Sequence, residues 1–202
     1  GESVALRATF DSATYGGYID KPLLGRSNVN RSNMLGGKLA LRARIAPDWT
    51  IDVIALAQST EADDSQYADR NGQPLESSAR VPEGSKADYA LGQLVVSGRI
   101  GDVNVRSTTG VVAQDLHEHY DASETGGEPR LFSQTNDTRM IVHETRVWQS
   151  ERHGFGWLLG ASYTHNRTVL NRDFSTPLFD MRKAATGVRN TIDEFTLYGE
   201  AS

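Results

Sequence analysis

Hydrophobic and polar residues take turns along much of the chain. Over 35–45 the odd positions are Leu35, Gly37, Leu39, Leu41, Ala43 and Ile45, with Lys38, Arg42 and Arg44 between them. Over 155–166 the odd positions are Phe155, Trp157, Leu159, Ala161 and Tyr163, and the even ones include Gly156, Gly160, Ser162, Thr164 and Asn166. Val4, Leu6, Ala8 and Phe10 alternate with Arg7, Thr9 and Asp11; Phe195, Leu197, Gly199 and Ala201 alternate with Glu194, Thr196 and Glu200. Successive strand side chains point to opposite faces, so this period of two predicts strands with one apolar and one polar face. A helix needs apolar residues three and four apart, and these segments lack that stripe. The segments near 50–60, 88–100, 103–115 and 139–149 follow the same rule with less contrast, making eight strands in 202 residues.

The predicted connections differ by parity. Ala46-Pro47-Asp48-Trp49, Gly101-Asp102 and Glu151-Arg152-His153-Gly154 are short and carry the Gly, Pro and Asp of antiparallel hairpins. The others, about 14–33, 61–87, 116–138 and 167–193, read as long polar loops. Tight turns at one end and long loops at the other predict an all-β, antiparallel up-and-down sheet of the transmembrane barrel kind, with lipid on one face and a wet lumen on the other. Tyr15, Tyr18, Trp49, Tyr89, Tyr120, Trp148, Phe155 and Tyr163 lie near strand ends, where aromatic girdles belong. The alternative is a soluble β-rich module, such as a sandwich whose apolar face packs on a core, binding through the same loops.

Composition adjusts this picture without replacing it. Mean hydropathy is −0.48, which a barrel tolerates because only every second residue meets lipid. A net charge of −5, with four lysines among 21 basic residues, argues against nucleic acid as a partner. Cysteine is absent, which excludes disulfides, thiolate-held metals and a thiol nucleophile.

Ordered segments along the chain resemble the β-barrel of a TonB-dependent receptor of the Gram-negative outer membrane, especially the divergent sphingomonad-type group. They are VALRATF at 4–10, GGYIDKPLLGR at 16–26, VNRSNMLGGKLALRARIAPDWTIDVIAL at 29–56, DDSQYAD at 63–69, STTGVVAQD at 107–115 and HETRVWQSERHGFGWLLGASYTHNRT at 143–168. The resemblance implies a 22-stranded barrel closed by a plug, of which 1–202 would be an internal fragment of about eight strands; a complete eight-stranded barrel is the rival. It also implies an outer-membrane location, uptake of a scarce bulky ligand such as a ferric siderophore or another nutrient, and energy from the TonB complex acting on a plug region absent from this chain. Outer-membrane lipid is the remaining partner, and no cofactor is implied.

No constellation points to an enzyme. Gly160-Ala161-Ser162-Tyr163-Thr164 lacks the closing glycine of a nucleophile elbow and falls in a strand. Asp115, His117 and His119 share a strand face and could approach a metal, but no distant ligand completes a set, and a solvated strand end is the simpler reading. The run from Asp63 to Gly72 has Tyr67 and Ser78 where a calcium loop needs acidic oxygens. Arg7, Arg42, Arg44 and Arg106 fall on the polar phase and are expected in the lumen. As ligand contacts the expectation is five side chains on loops, Tyr67, Arg70, His117, His119 and Tyr120, because exposed aromatic, imidazole and guanidinium groups favour recognition.

Overall fold

The computed structural model describes residues 3–70, 72–152, 154–176 and 181–202. Eight strands follow one another: β1 (Val4–Tyr15), β2 (Ser32–Ala46), β3 (Trp49–Ala62), β4 (Gly84–Ile100), β5 (Val103–Asp121), β6 (Leu131–Arg152), β7 (Phe155–Thr176) and β8 (Met181–Ala201). They form one antiparallel sheet in the order β1 to β8. Each strand pairs with its neighbours in sequence, and β1 and β8 do not pair with each other. The sheet is therefore open, with no β1–β8 pairing among the described residues to close it into an eight-stranded barrel.

The register lines the alternating residues up in rows. One row runs Leu6, Leu41, Val53, Leu94, Thr109, His143, Tyr163, Phe195. The adjacent row on the opposite face runs Arg7, Ala40, Ile54, Gln93, Gly110, Val142, Thr164, Glu194. The first face is apolar from Ile45 to Leu35 on β2 and from Trp157 to Tyr163 on β7. The second carries Arg7, Arg42, Arg44 and Arg106, as expected of a lumen. There Arg42 Nε donates to Asp52 Oδ1 at 2.6 Å.

Among the described residues no second layer covers the apolar face. Leu6 is 66% exposed, Phe195 67% and Leu197 71%, and of the five buried hydrophobic residues among those described only Val95 lies in a strand. A sandwich core would bury those rows, so the soluble-sandwich alternative fails on this observation. Rows so exposed are what the lipid-facing side of a membrane barrel would present.

Polar residues on the apolar face satisfy one another. Thr109 Oγ1 lies 2.9 Å from His143 Nδ1, His143 Nε2 is 3.0 Å from Thr145 Oγ1, and Thr145 donates to Ser107 Oγ at 3.1 Å. Such pairing matters where no water is available. Two glycines admit aromatic rings from the neighbouring strand. A Cβ on Gly98 would sit 2.2 Å from the Trp49 ring, and one on Gly160 would sit 2.1 Å from that of Tyr198.

Three expectations are corrected. The strands run longer than the alternation suggests, so most of 116–138 and 167–193 is strand, and only residues 122–130 separate β5 from β6. In these stretches the contrast between alternate residues fades while the backbone ladder continues. His117, His119 and Tyr120 accordingly stand on β5, not on a loop. Of the proposed girdle, Tyr15, Tyr89, Tyr120 and Trp148 lie on the lumen face by register, leaving Trp49, Phe155 and Tyr163 facing outward among the strand residues. His153 of the third turn and residues 177–180 lie outside the described residues.

Candidate functional site

The loop end of the sheet has its own small core. The segments 16–31 and 63–83 enclose Ile19, Val29, Ala79 and Val81, all buried. At their junction Lys21 is fully buried, and its ammonium donates to Asp64 Oδ1 and, at 2.9 Å, to Glu83 Oε2. Asn30, also buried, accepts the backbone N–H groups of Tyr18 and Ile19 at 2.7 Å each. A buried ammonium is tolerated only when carboxylates surround it, so this clamp ties the two loops into one body. The Asp- and Gly-rich run at 63–72 serves it: Asp64 holds Lys21, and Asp69 accepts the Ser78 N–H at 2.7 Å. Asn71 of that run lies outside the described residues.

Glu83 carries the clamp to the sheet. Burial alone would raise its pKa, but the Asp121 N–H at 2.8 Å, the Ser65 hydroxyl at 2.6 Å and the Lys21 ammonium outweigh it and hold the group below its usual 4.5. Asp121 is likewise depressed despite burial, because the Ser123 and Arg80 N–H groups bond its carboxylate. Between these loops and the 122–130 connection lies a polar cleft of about 570 Å³, whose lining includes Tyr67, Asp69, Arg80, Glu83, Asp121 and Gly127.

Next to it, on the lumen face, the register assembles an aromatic row from three strands. Tyr120, Phe132 and Phe174 sit side by side, with ring centroids 6.4 Å apart for Tyr120 and Phe132 and 5.2 Å for Phe132 and Phe174. The Arg130 guanidinium lies 5.8 Å from the Phe174 ring centroid. One row deeper, Arg172 Nε donates to Gln134 Oε1 at 2.7 Å and Gln134 Nε2 to Glu118 Oε2 at 2.8 Å. Tyr120 donates to Glu118 Oε1 at 2.7 Å; that bond, reinforced by burial, pushes the phenol up to about 12. Tyr120 is therefore a neutral donor fixed in orientation at any physiological pH. The row offers flat apolar rings, a cation and polar groups held in place, which suits recognition of a large ligand with planar and anionic parts.

Alternation along β5 divides the residues singled out from sequence. Tyr120 belongs to the aromatic row, and Tyr67, 76% exposed, lines the adjoining cleft. Arg70 stands on the same loop, exposed and outside the cleft lining. His117 and His119 share the outward face, where His119 Nδ1 is 3.1 Å from Ser133 Oγ. Asp115, on that outward face too, is bound by Arg139 at 2.8 Å. Among the described residues no three His, Asp or Glu side chains converge as metal ligands do. Phe132, Phe174, Glu118, Gln134 and Arg172 escape sequence reasoning because only strand register, across 42 residues from Phe132 to Phe174, brings them together. Lys21 escapes because a lone lysine in a loop gives no sign of being buried.

No protein-family model matches the sequence, and no curated protein matches it. Among solved structures, the crystal structure of the ferric yersiniabactin uptake receptor FyuA from Yersinia pestis matches with a TM-score of 0.80 at 13% identity, over 98% of this chain and 31% of that one. The chain thus spans about a third of the length of that receptor. Ser162, the serine of the elbow-like stretch, stands mid-strand between Glu144 and Thr196. In fold the chain, an open antiparallel up-and-down sheet of eight strands, matches about a third of that uptake receptor.

Proposed function

We propose that residues 1–202 are part of the barrel of an outer-membrane TonB-dependent receptor that takes up a scarce, bulky ligand such as a ferric siderophore or a comparable nutrient. The remaining strands and the plug would lie elsewhere in a longer protein, and the TonB complex would act through that plug. The observation that carries this reading is the division of the open sheet into an uncovered apolar face and a charged one, on a fold that matches a ferric yersiniabactin uptake receptor over nearly the whole chain.

In this reading the barrel selects and the plug gates. The strand extensions beyond the bilayer form the rim of a vestibule. Tyr120, Phe132 and Phe174 would stack on planar parts of the ligand, Arg172 and Arg130 would meet its negative charge, and Tyr67 would close over it from the clamped loops. The Lys21 clamp holds those loops in position before the ligand arrives, which reduces the ordering cost of binding.

The test uses the complete protein that carries this chain. Ferric catecholate, hydroxamate and phenolate siderophores are offered in turn, and binding is read by tryptophan quenching. Uptake is read as cell-associated iron with and without a protonophore. The reading predicts that at least one ligand binds in both conditions and enters only energised cells. It also predicts that Phe132→Ala with Phe174→Ala weakens binding roughly tenfold, as expected for lost stacking partners. Recovery of the protein in the soluble fraction, or uptake indifferent to the protonophore, refutes it.

A further inference from the structure

One group of polar side chains interrupts the outward face at mid-height. Ser107 and Thr109 on β5 stand opposite Thr145 and His143 on β6. In the same two rows β2, β3 and β4 carry only Ala43, Ile51 and Val96, and Leu41, Val53 and Leu94. Both β5 and β6 lie inside the sheet, between β4 and β7, so every neighbour the sheet can offer is in place. A strand rising about 3.4 Å per residue and tilted by about 40° gains roughly 2.6 Å of height per residue. Ala161 and Tyr163, opposite Thr145 and His143, follow Trp157 by four and six positions. The group therefore lies roughly 10 to 16 Å up an apolar band about 25 Å tall. Polar side chains at that depth are costly to leave against lipid.

The group does not close on itself. A hydroxyl has one proton to give, and a neutral imidazole has one N–H. Thr145 gives its proton to Ser107 Oγ at 3.1 Å, so toward His143 Nε2, at 3.0 Å, it can only accept. With the ring proton on Nε2, His143 Nδ1 accepts from the Thr109 hydroxyl at 2.9 Å. The bonds thus run in one direction, from Thr109 through His143 and Thr145 to Ser107. They end on the Ser107 proton, which has no acceptor among the described residues, while the lone pairs of Thr109 Oγ receive no donor. All four residues are only half-buried, so both ends of the chain of bonds remain accessible from outside the sheet.

Lipid tails offer neither donor nor acceptor, whereas a second copy of this chain offers both. We propose that the polar patch of Ser107, Thr109, His143 and Thr145 is the contact surface of a homodimer within the membrane, with Ser107 near its two-fold axis. Each copy brings one unmatched proton, on Ser107, and open lone pairs, on Ser107 and Thr109, so the patch complements itself as an isologous interface requires. Two copies inserted in the same direction are related by an axis along the bilayer normal, which sets equal residues at equal height. The Ser107 row continues through Thr145 to Ala161, and side chains this small let a second surface approach closely enough for hydrogen bonds to form. This inference rests on the barrel reading.

The complete protein is dye-labelled and reconstituted in phospholipid vesicles, and dimers are counted by single-molecule photobleaching as the protein is diluted in lipid. Protease protection of the strands reports insertion independently. The wild type should dimerise, and Ser107→Ala with Thr145→Val should weaken association roughly tenfold. Both substitutions make the outward face more apolar, so the variant should insert as well as the wild type. Leu41→Val, on β2 in the Thr109 row, should change nothing. In cells, a photo-crosslinking benzophenone amino acid at position 107 should give a product of twice the protein's mass. A wild type that stays monomeric at every dilution, equal dimerisation by the double variant, or equal weakening in the Leu41→Val control overturns the interface. A crosslink to a different protein overturns the second copy as its occupant, and crosslinks to lipid alone overturn any protein there. Failure to insert at all overturns the barrel reading and the interface with it, and the protection assay tells that case from the others.

Discussion

Placing a charge on Leu39 tests the assignment of faces at its most sensitive point. Leu39 lies six positions beyond Ile45, or roughly 16 Å up a band about 25 Å tall, which puts it close to the bilayer midplane. Its direct neighbours on the outward face are Ala8 and Ala55. The diagonal ones are Leu6, Phe10, Val53 and Ala57, so an arginine there finds no carboxylate to pair with. Leu39→Arg should therefore cost about 2–4 kcal/mol, toward the upper end of that range. Gln93→Arg is the matched control: it lies at a similar distance from its turn but faces the lumen, diagonal to Asp52, and should change stability by no more than about 1 kcal/mol. Both are measured on the complete protein by urea unfolding in phospholipid vesicles, followed by tryptophan fluorescence. A neutral Leu39→Arg, or equal costs for the two variants, would falsify the assignment of lipid and lumen faces.

Three further predictions concern the loop end and the packing of the sheet. Lys21→Met leaves Asp64 and Glu83 buried without a cation and should cost about 3–5 kcal/mol locally, read as faster hydrogen exchange at the Val29 and Asp63 amides with the strands unaffected. The folded pKa values of Glu83 and Asp121 lie below their usual 4.5 and 3.8. Their contribution is therefore fully present above the unfolded values and is lost as pH falls through the depressed folded ones. Loop protection measured across that acid range should decline below pH 4.5, and a profile flat down to the acid limit would contradict the clamp. Gly160→Val should cost about 1–3 kcal/mol by overpacking, because the Tyr198 ring must leave its place and its bond to Glu144; Tyr198→Ala in the same background should remove most of that penalty.

How far the sequence can be read depends on what surrounds each stretch. Leu35–Ile45 and Phe155–Tyr163 alternate sharply between apolar and polar residues, and their strand character and facing follow from that contrast alone. The upper halves of β5, β6 and β7 lose the contrast because both of their faces are largely polar, so Gln134 or Arg172 looks like loop until backbone pairing is known. The candidate site lies in that silent region. Tyr120 is legible as an exposed aromatic, whereas Phe132 and Phe174 gain meaning only through register. His117 and His119 show the opposite failure: their residue types suggest a ligand site, and the parity of the strand turns them away from it. The clamp of Lys21, Asp64 and Glu83 joins residues 43 and 62 positions apart, and no local pattern announces a contact of that span.

The most direct measurement exploits the absence of cysteine from the chain. Single cysteines introduced at each position from 35 to 45 in the complete protein are spin-labelled in lipid bilayers, and collisions with oxygen and with a water-soluble nickel chelate are recorded. Labels at odd positions should collide with oxygen and those at even positions with nickel, in strict alternation. Uniform access to nickel, or burial of the odd positions from both reagents, would show that no lipid bathes the apolar face and would contradict the barrel.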